Sequence, residues 1–118
     1  MTRSRTLEAV AAVERRMKAA LVAATGIARD VGGHRIRNRT AIGRALQSFS
    51  ACGLRSAFAC AMAESHRAKL STLDAALADR QQAADERVQA ARDAVLPWAQ
   101  IRCGLERRRA RLAAKTSA

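Results

Sequence analysis

The chain has 118 residues, and its 22 Lys and Arg against 10 Asp and Glu give a formal net charge of +12. One Pro, no Tyr and 3% aromatic residues exclude a β-sandwich or β-barrel, because strands need aromatic and β-branched residues and frequent turns between them. Alanine is the commonest residue, and Ala, Glu, Lys, Leu and Arg together exceed half of the chain. This composition is typical of long helices and coiled coils. We therefore predict an all-α protein with a thin core.

The first predicted helix covers about residues 6–31. Apolar residues recur there at alternating steps of three and four, which keeps one narrow face of a helix toward a partner helix. Glu14 is the charged exception in this series, and a polar residue at such a position commonly fixes the alignment of two helices at a cost in stability. The predicted interface residues of this helix are Leu7, Val10, Met17, Leu21 and Val31, with Ala24 and Ala28 between them.

A break is predicted directly after this helix. Gly32 and Gly33 each destabilise a helix by roughly 1 kcal/mol relative to alanine, and three further arginines follow within the next six residues. We expect a joint over residues 32–39 and a second helix over about 40–62. The reversal of chain direction is expected between residues 48 and 66.

The last predicted helix covers about residues 67–114 and contains the longest regular pattern in the sequence. Apolar residues stand there at a strict seven-residue interval, the period of a two-stranded coiled coil. The residues predicted to widen this apolar face are Leu73, Val88, Val95 and Ile101, and those predicted to flank it are Arg80, Gln81, Arg87 and Arg108. Pro97 removes a main-chain amide, so we expect a kink there, and not a new helix, because the pattern keeps its phase across it. The residues of the column are Leu70, Leu77, Ala84, Ala91, Trp98, Leu105 and Leu112.

Two such faces in one short chain bury each other most simply in an antiparallel helical hairpin, which is a two-stranded coiled coil. A compact three-helix bundle is the alternative if the two glycines form a true turn. In both cases residues 1–118 are predicted to form a single helical domain. The hairpin would bring together the two basic segments of the chain. Residues 1–40 carry nine basic and three acidic groups, and residues 99–118 carry six basic groups and one acidic group.

This basic end is the predicted partner-binding site. Clustered arginines attract an acidic partner and speed its encounter with the protein. The partner could be an acidic protein surface or the phosphates of a nucleic acid, and a self-associating coiled coil is a third alternative. Without Tyr, a zinc-finger spacing or an RNA-binding motif, specific recognition of bases is not predicted. The arginines at this end are Arg3, Arg5, Arg15, Arg16, Arg102, Arg107, Arg108, Arg109 and Arg111.

Enzymatic chemistry is not expected. The histidines, His34 and His66, have no second histidine at the i+4 spacing of a helical metal site. The three cysteines form no CxxC pair, and no GxxxxGK[ST] phosphate loop is present. The sequence therefore predicts no catalytic residue, no metal and no cofactor.

The distribution of apolar residues bears on the cellular compartment. The longest runs without a charged residue have ten residues, about half of what a membrane-spanning helix requires. Charged residues interrupt each apolar stretch near the N-terminus, so no secretory signal is predicted. Three cysteines without a paired framework fit a reducing compartment. We expect a cytoplasmic protein without a membrane span.

The two terminal segments together carry a resemblance to a known family. The N-terminal apolar series over residues 7–31 and the alternation of Arg, Glu and Leu over residues 84–112 resemble the FliJ/YscO stalk proteins of flagellar and type III secretion systems. The alternation is clearest at Arg102, Leu105, Glu106, Arg107, Arg108 and Leu112. The resemblance implies a bacterial coiled-coil protein whose paired ends dock on the ring of a hexameric export ATPase. It also implies a cytoplasmic location at the inner-membrane export apparatus.

Overall fold

The structure is a computed structural model that describes residues 2–52 and 57–117, with side chains described over 5–48 and 57–116. Both stretches are helical: α1 spans Thr2–Cys52 and α2 spans Ala57–Ser117. The two helices pack against each other as an antiparallel hairpin, which confirms the predicted all-α fold in its two-helix form. The three-helix alternative is wrong. The reversal was expected between residues 48 and 66, and residues 53–56 of that range lie outside the described part.

Contacts divide the chain into two compact units, and each unit contains a segment of both helices. Unit 1 comprises Met1–Thr25 and Glu86–Ala118, and unit 2 comprises Gly26–Asp85. The pairing of α1 with α2 inside unit 2 is antiparallel, because Arg35 reaches Gln81 while Asn38 reaches Leu70. Both units are thus built from segments of the same two helices.

The joint predicted over residues 32–39 is not formed, and this prediction is corrected. Helix α1 continues through both glycines. The alternation of three and four also continues past Val31, through Arg35, Asn38, Ile42 and Ala45, and none of these four side chains is exposed. Packing of one continuous face against α2 therefore outweighs the intrinsic cost of two glycines, which is a tertiary effect that overrides local propensity.

Helix α2 begins before the predicted residue 67 and continues past Pro97, as the predicted 67–114 helix did. The segment predicted as a helix over 40–62 is divided between the end of α1 and the beginning of α2. Pro97 lies inside α2 without ending it. Its side chain is exposed, so water can reach the carbonyl of Asp93 that loses its main-chain donor. The division of the 40–62 segment leaves longer helices than the local sequence signals indicate.

The core is thin, as the composition predicts. Among the described residues, the buried hydrophobic side chains are Val10 in unit 1 and Leu77 and Ala84 in unit 2. Large hydrophobic side chains also remain exposed, up to 75% at Phe58. Two packed helices cover one face of each other and leave the remaining faces to solvent. The exposed apolar side chains suggest partner binding or oligomerisation.

Candidate functional site

The predicted interface of α1 lies on the face that packs against α2. Val10 is buried, and so is Glu14, the charged exception in the series. The other predicted interface residues are half-buried: Leu7, Met17, Leu21 and Val31. The polar residue is therefore inside the helix interface, and its charge requires a partner there.

The seven-residue column of α2 is covered along most of its length. Leu77 and Ala84 are buried. Leu112, the last member of the column, departs from the prediction because 40% of it is exposed. The half-buried members are Leu70, Ala91, Trp98 and Leu105.

A second column of α2 completes the interface, and the sequence indicated it in part, because Val88 and Val95 were predicted to widen the apolar face and are half-buried. Leu73 and Ile101 were predicted to widen it as well, but both are exposed. Gln81, which was predicted to lie outside the interface, is half-buried within it. The second column consists of Asp74, Gln81, Val88, Val95 and Arg102. The signal that could have identified it is complementarity, because polar positions of α1 need polar partners on α2.

Unit 1 contains one buried charge pair across the helix interface. Glu14 is 2% exposed, and its carboxylate accepts a hydrogen bond from Arg102 Nε. Lys18 Nζ lies 2.9 Å from the second carboxylate oxygen, Oε1. The hydrogen bond from Arg102, supported by Lys18, holds the pKa of Glu14 below its ordinary value. Glu14 is therefore charged in the folded protein at neutral pH.

Arg102 is shared between two carboxylates. Besides bonding Glu14, its Nη1 donates to both oxygens of Glu106, at 3.1 and 3.0 Å. These hydrogen bonds raise the pKa of Arg102 above its already high value, with Glu14 contributing most. Arg102 was predicted to belong to the partner-binding end. Its guanidinium bonds Glu14 and Glu106 inside the chain, and its role in partner binding stays a prediction.

The remaining arginines of the predicted basic end are exposed where the structure describes them. None of them forms an ion pair with another residue of the described ranges. They are Arg5, Arg15, Arg16, Arg107, Arg108, Arg109 and Arg111. The side chain of Arg3 lies outside the described residues.

The terminal segments of both helices belong to unit 1, so these arginines are brought into one body. Unit 1 holds thirteen Lys and Arg against five Asp and Glu, a formal charge of +8. Unit 2 holds nine against five, a formal charge of +4. Unit 1 therefore has the stronger field for an acidic partner.

An open groove on α2 lies among these arginines. Apolar surface comes from Ile101 and Leu105, and Gly104 contributes no side chain. Three arginines complete the lining: Arg107, Arg108 and Arg111. We define these six residues as the arginine groove. Sequence reasoning found its arginines but missed Ile101 and Gly104, because Ile101 was placed in the helix interface.

Unit 2 has a polar interface of a different kind. Arg35 Nη1 donates to Gln81 Oε1 at 3.0 Å, and Asn38 Nδ2 donates to the Leu70 carbonyl at 3.0 Å. Arg39 Nε donates to Asp74 Oδ1 at 3.3 Å. Arg35 Nε lies 3.7 Å from the same oxygen and is buried without a hydrogen bond. These contacts align α1 with α2 inside unit 2.

The described residues offer neither a metal site nor a membrane span. Within the described ranges, no group of three or more His, Cys, Asp or Glu side chains is placed to hold a metal ion. Neither described helix contains a stretch that is long and apolar enough to cross a bilayer. In comparisons with protein-family models, curated proteins and solved structures, nothing matches this chain.

Proposed function

We propose that the chain is a non-enzymatic coiled-coil accessory protein that binds an acidic protein surface through unit 1. The observation that carries this proposal is that the seven described, exposed arginines of the predicted basic end all lie in unit 1 and form no ion pair within the described ranges. Arginine is enriched in protein interfaces and pairs with carboxylates through two parallel hydrogen bonds. Arg102 serves the helix pair, and its neighbours in sequence remain available to a partner.

The particular role we propose is that of a stalk in a flagellar or type III export system. The docking partner is then the ring of a hexameric export ATPase at the cytoplasmic side of the inner membrane. Support comes from the resemblance of the terminal segments to the FliJ/YscO proteins. It also comes from the antiparallel helix pair, with both terminal segments in unit 1.

A protein partner is favoured over a nucleic acid by the apolar side chains among the arginines. Ile101 is 46% exposed and Leu112 is also exposed, and such side chains contribute to a protein interface but not to contacts with phosphates. Trp98 is half-buried in the helix interface, so it does not offer a free face on which a base could stack.

The test is a binding titration of the purified chain against a purified hexameric export ATPase at near-physiological salt. We expect Arg107→Glu, Arg108→Glu and Arg111→Glu together to weaken binding by about tenfold or more, which is at least 1.4 kcal/mol. The matched control reverses three exposed arginines of unit 2: Arg29, Arg37 and Arg44.

The two triple variants change the net charge equally, so their comparison separates a site from a general field. Equal weakening by both variants would contradict docking through unit 1. Absence of ATPase binding together with tight binding of random duplex DNA at the same salt would replace the stalk proposal with a nucleic-acid role.

A further inference from the structure

We propose that the arginine groove receives an acidic amphipathic helix of a partner protein, which lies along α2 of unit 1. This inference rests on the proposed function and deepens it by naming the surface and the chemistry of the occupant. Three features of this surface support it: the apolar positions on one face, the glycine between them and the unpaired arginines around them.

The apolar positions follow the spacing that a docked helix requires. Ile101, Leu105 and Leu112 are separated by four and seven residues, which places them on one side of α2. Ile101 and Leu112 are exposed, and Leu105 is half-buried. This side of α2 extends the helix interface outward and offers a strip on which the apolar face of a further helix can pack.

Gly104 lies between two of these apolar positions and leaves space beside the helix. A Cβ built on it meets nothing within 4 Å, so packing within the described chain does not require a glycine there. Glycine nevertheless destabilises a helix relative to alanine. The missing side chain permits close approach of another backbone from outside, which is what a helix lying in the groove would make.

The arginines determine the charge of the occupant. Arg107, Arg108 and Arg111 are exposed beside the apolar strip and have no ion-pair partner in the described ranges. Glutamates that flank the apolar face of a docked helix would supply the missing carboxylates. A nucleic acid would use the arginines and leave the apolar strip and Gly104 unused, so an acidic helix accounts for more of the surface.

The probe is a synthetic helical peptide of about three heptads, with leucine at the two apolar positions of each heptad and glutamate at the flanking positions. Its affinity is measured by isothermal titration calorimetry. The reference peptide carries alanine in place of leucine at the same charge. We expect the leucine peptide to bind at least about tenfold more tightly than the alanine peptide.

The variants test each part of the groove. Gly104→Leu fills it and should weaken peptide binding by about tenfold or more, as should Arg108→Glu with Arg111→Glu. Gly43→Leu is the matched control, because Gly43 is an exposed helical glycine in unit 2 whose added Cβ also meets nothing within 4 Å. Gly104→Ala should raise the melting temperature and still weaken binding, a combination that a folding defect cannot produce.

Four outcomes would overturn the groove. Equal affinity for the leucine and alanine peptides would mean that the peptide binds through its charge alone and that the apolar strip is not used. Unchanged peptide binding by the Gly104→Leu variant would place the contact elsewhere. If the arginine reversals still abolished ATPase binding in that case, the proposed function would stand without the groove. If the peptide does not bind while ATPase binding stays intact, the proposed function likewise stands without the groove. Preference for duplex DNA through the same arginines would overturn both proposals.

Discussion

Units 1 and 2 are built from the same two helices, yet they accommodate polar residues in the helix interface differently. In unit 1 a single buried carboxylate, Glu14, is neutralised by Arg102 and Lys18. In unit 2 several polar residues share the interface, and Asn38, at 6% exposed, is bonded to a main-chain carbonyl. The comparison shows that a two-stranded coiled coil tolerates polar interface positions when α2 supplies a complementary group at the same level.

The charge pair of unit 1 and the polar contacts of unit 2 differ in what they contribute to stability. Arg35 and Asp74 in unit 2 are each about one quarter exposed, so solvent screens their attraction and its contribution is small. Glu14 in unit 1 is shielded from water, and removing its partner would leave a buried charge. The polar contacts of unit 2 are therefore the more replaceable ones, and the predictions below test that difference.

The largest effect is expected at the apolar centre of unit 2. Leu77 is 1% exposed, and Leu77→Asp would bury an unpaired carboxylate at a cost of about 4 kcal/mol or more. That cost approaches the whole stability of a small domain, so helical circular dichroism should be lost. Ala76→Asp, at the exposed neighbouring position, is the control. Greater loss of helix in the control would mean that the buried face of α2 is wrongly placed.

The next effect concerns the charge pair of unit 1. Glu14→Leu leaves the half-buried guanidinium of Arg102 with Glu106 alone, so the melting temperature should fall by several degrees. The double variant Glu14→Leu with Arg102→Leu should melt at or above the wild type, because apolar packing can replace a buried ion pair without loss. A double variant that melts below the wild type would show that the pair itself supplies net stability.

The third effect is expected at Asn38 in unit 2, where a substitution should raise stability instead of lowering it. Asn38→Leu removes one hydrogen bond, but the Leu70 carbonyl lies inside a helix and keeps its main-chain donor. The added apolar burial should exceed the loss, and we expect a gain of about 1 kcal/mol in the free energy of unfolding, measured by urea titration. A loss of similar size would show that the polar contact of unit 2 is as necessary as the charge pair of unit 1.

A smaller gain is expected at the paired glycines. A Cβ on Gly32 would lie 3.5 Å from Gln81 Nε2, an ordinary contact distance. Gly32→Ala should therefore raise the free energy of unfolding by about 0.5–1 kcal/mol through helix propensity alone. Gly26→Ala, where the added Cβ meets nothing within 4 Å, provides the reference gain. If Gly32→Ala destabilises while Gly26→Ala stabilises, the Arg35–Gln81 contact requires the glycine.

The smallest effect is expected from pH. The pKa of Glu14 is lower in the folded chain than its ordinary value of 4.5, so the unfolded chain binds the proton more readily. Stability from this group is complete above about pH 4.5 and is lost as the pH falls through the folded pKa. Thermal melts from pH 7 to pH 3 should show this loss, and it should be reduced in the Glu14→Leu, Arg102→Leu variant. An identical pH profile in that variant would assign the loss to other carboxylates, such as Glu64, whose pKa is lowered by Arg67.

The fold class follows from the sequence because the periodicity of apolar residues is a global signal. The series from Leu7 to Val31 and the column from Leu70 to Leu105 define the two faces that the helices present to each other. The joint over residues 32–39 was inferred from local propensity, and counting the same steps onward to Arg35 and Asn38 would have shown that the helix face continues. Polar residues concealed that continuity, since they were expected in solvent.

The candidate site was predictable in its charge and not in its shape. The exposed arginines at the end of α2 could be predicted from the basic composition of residues 99–118. Arg102 could not be separated from Arg107 or Arg108 by sequence, because its role depends on Glu14, 88 residues away along the chain. The open space beside Gly104 likewise depends on which neighbours are absent around it, and a single sequence does not contain that information.

Trp98 lies half-buried in unit 1 and is the one tryptophan of a chain that has no tyrosine. Its ultraviolet emission therefore reports on unit 1 and receives no contribution from unit 2. The far-ultraviolet helical signal, by contrast, sums over both units. Whether the two signals change together on heating directly reports whether the units melt as one cooperative body, and no label has to be attached.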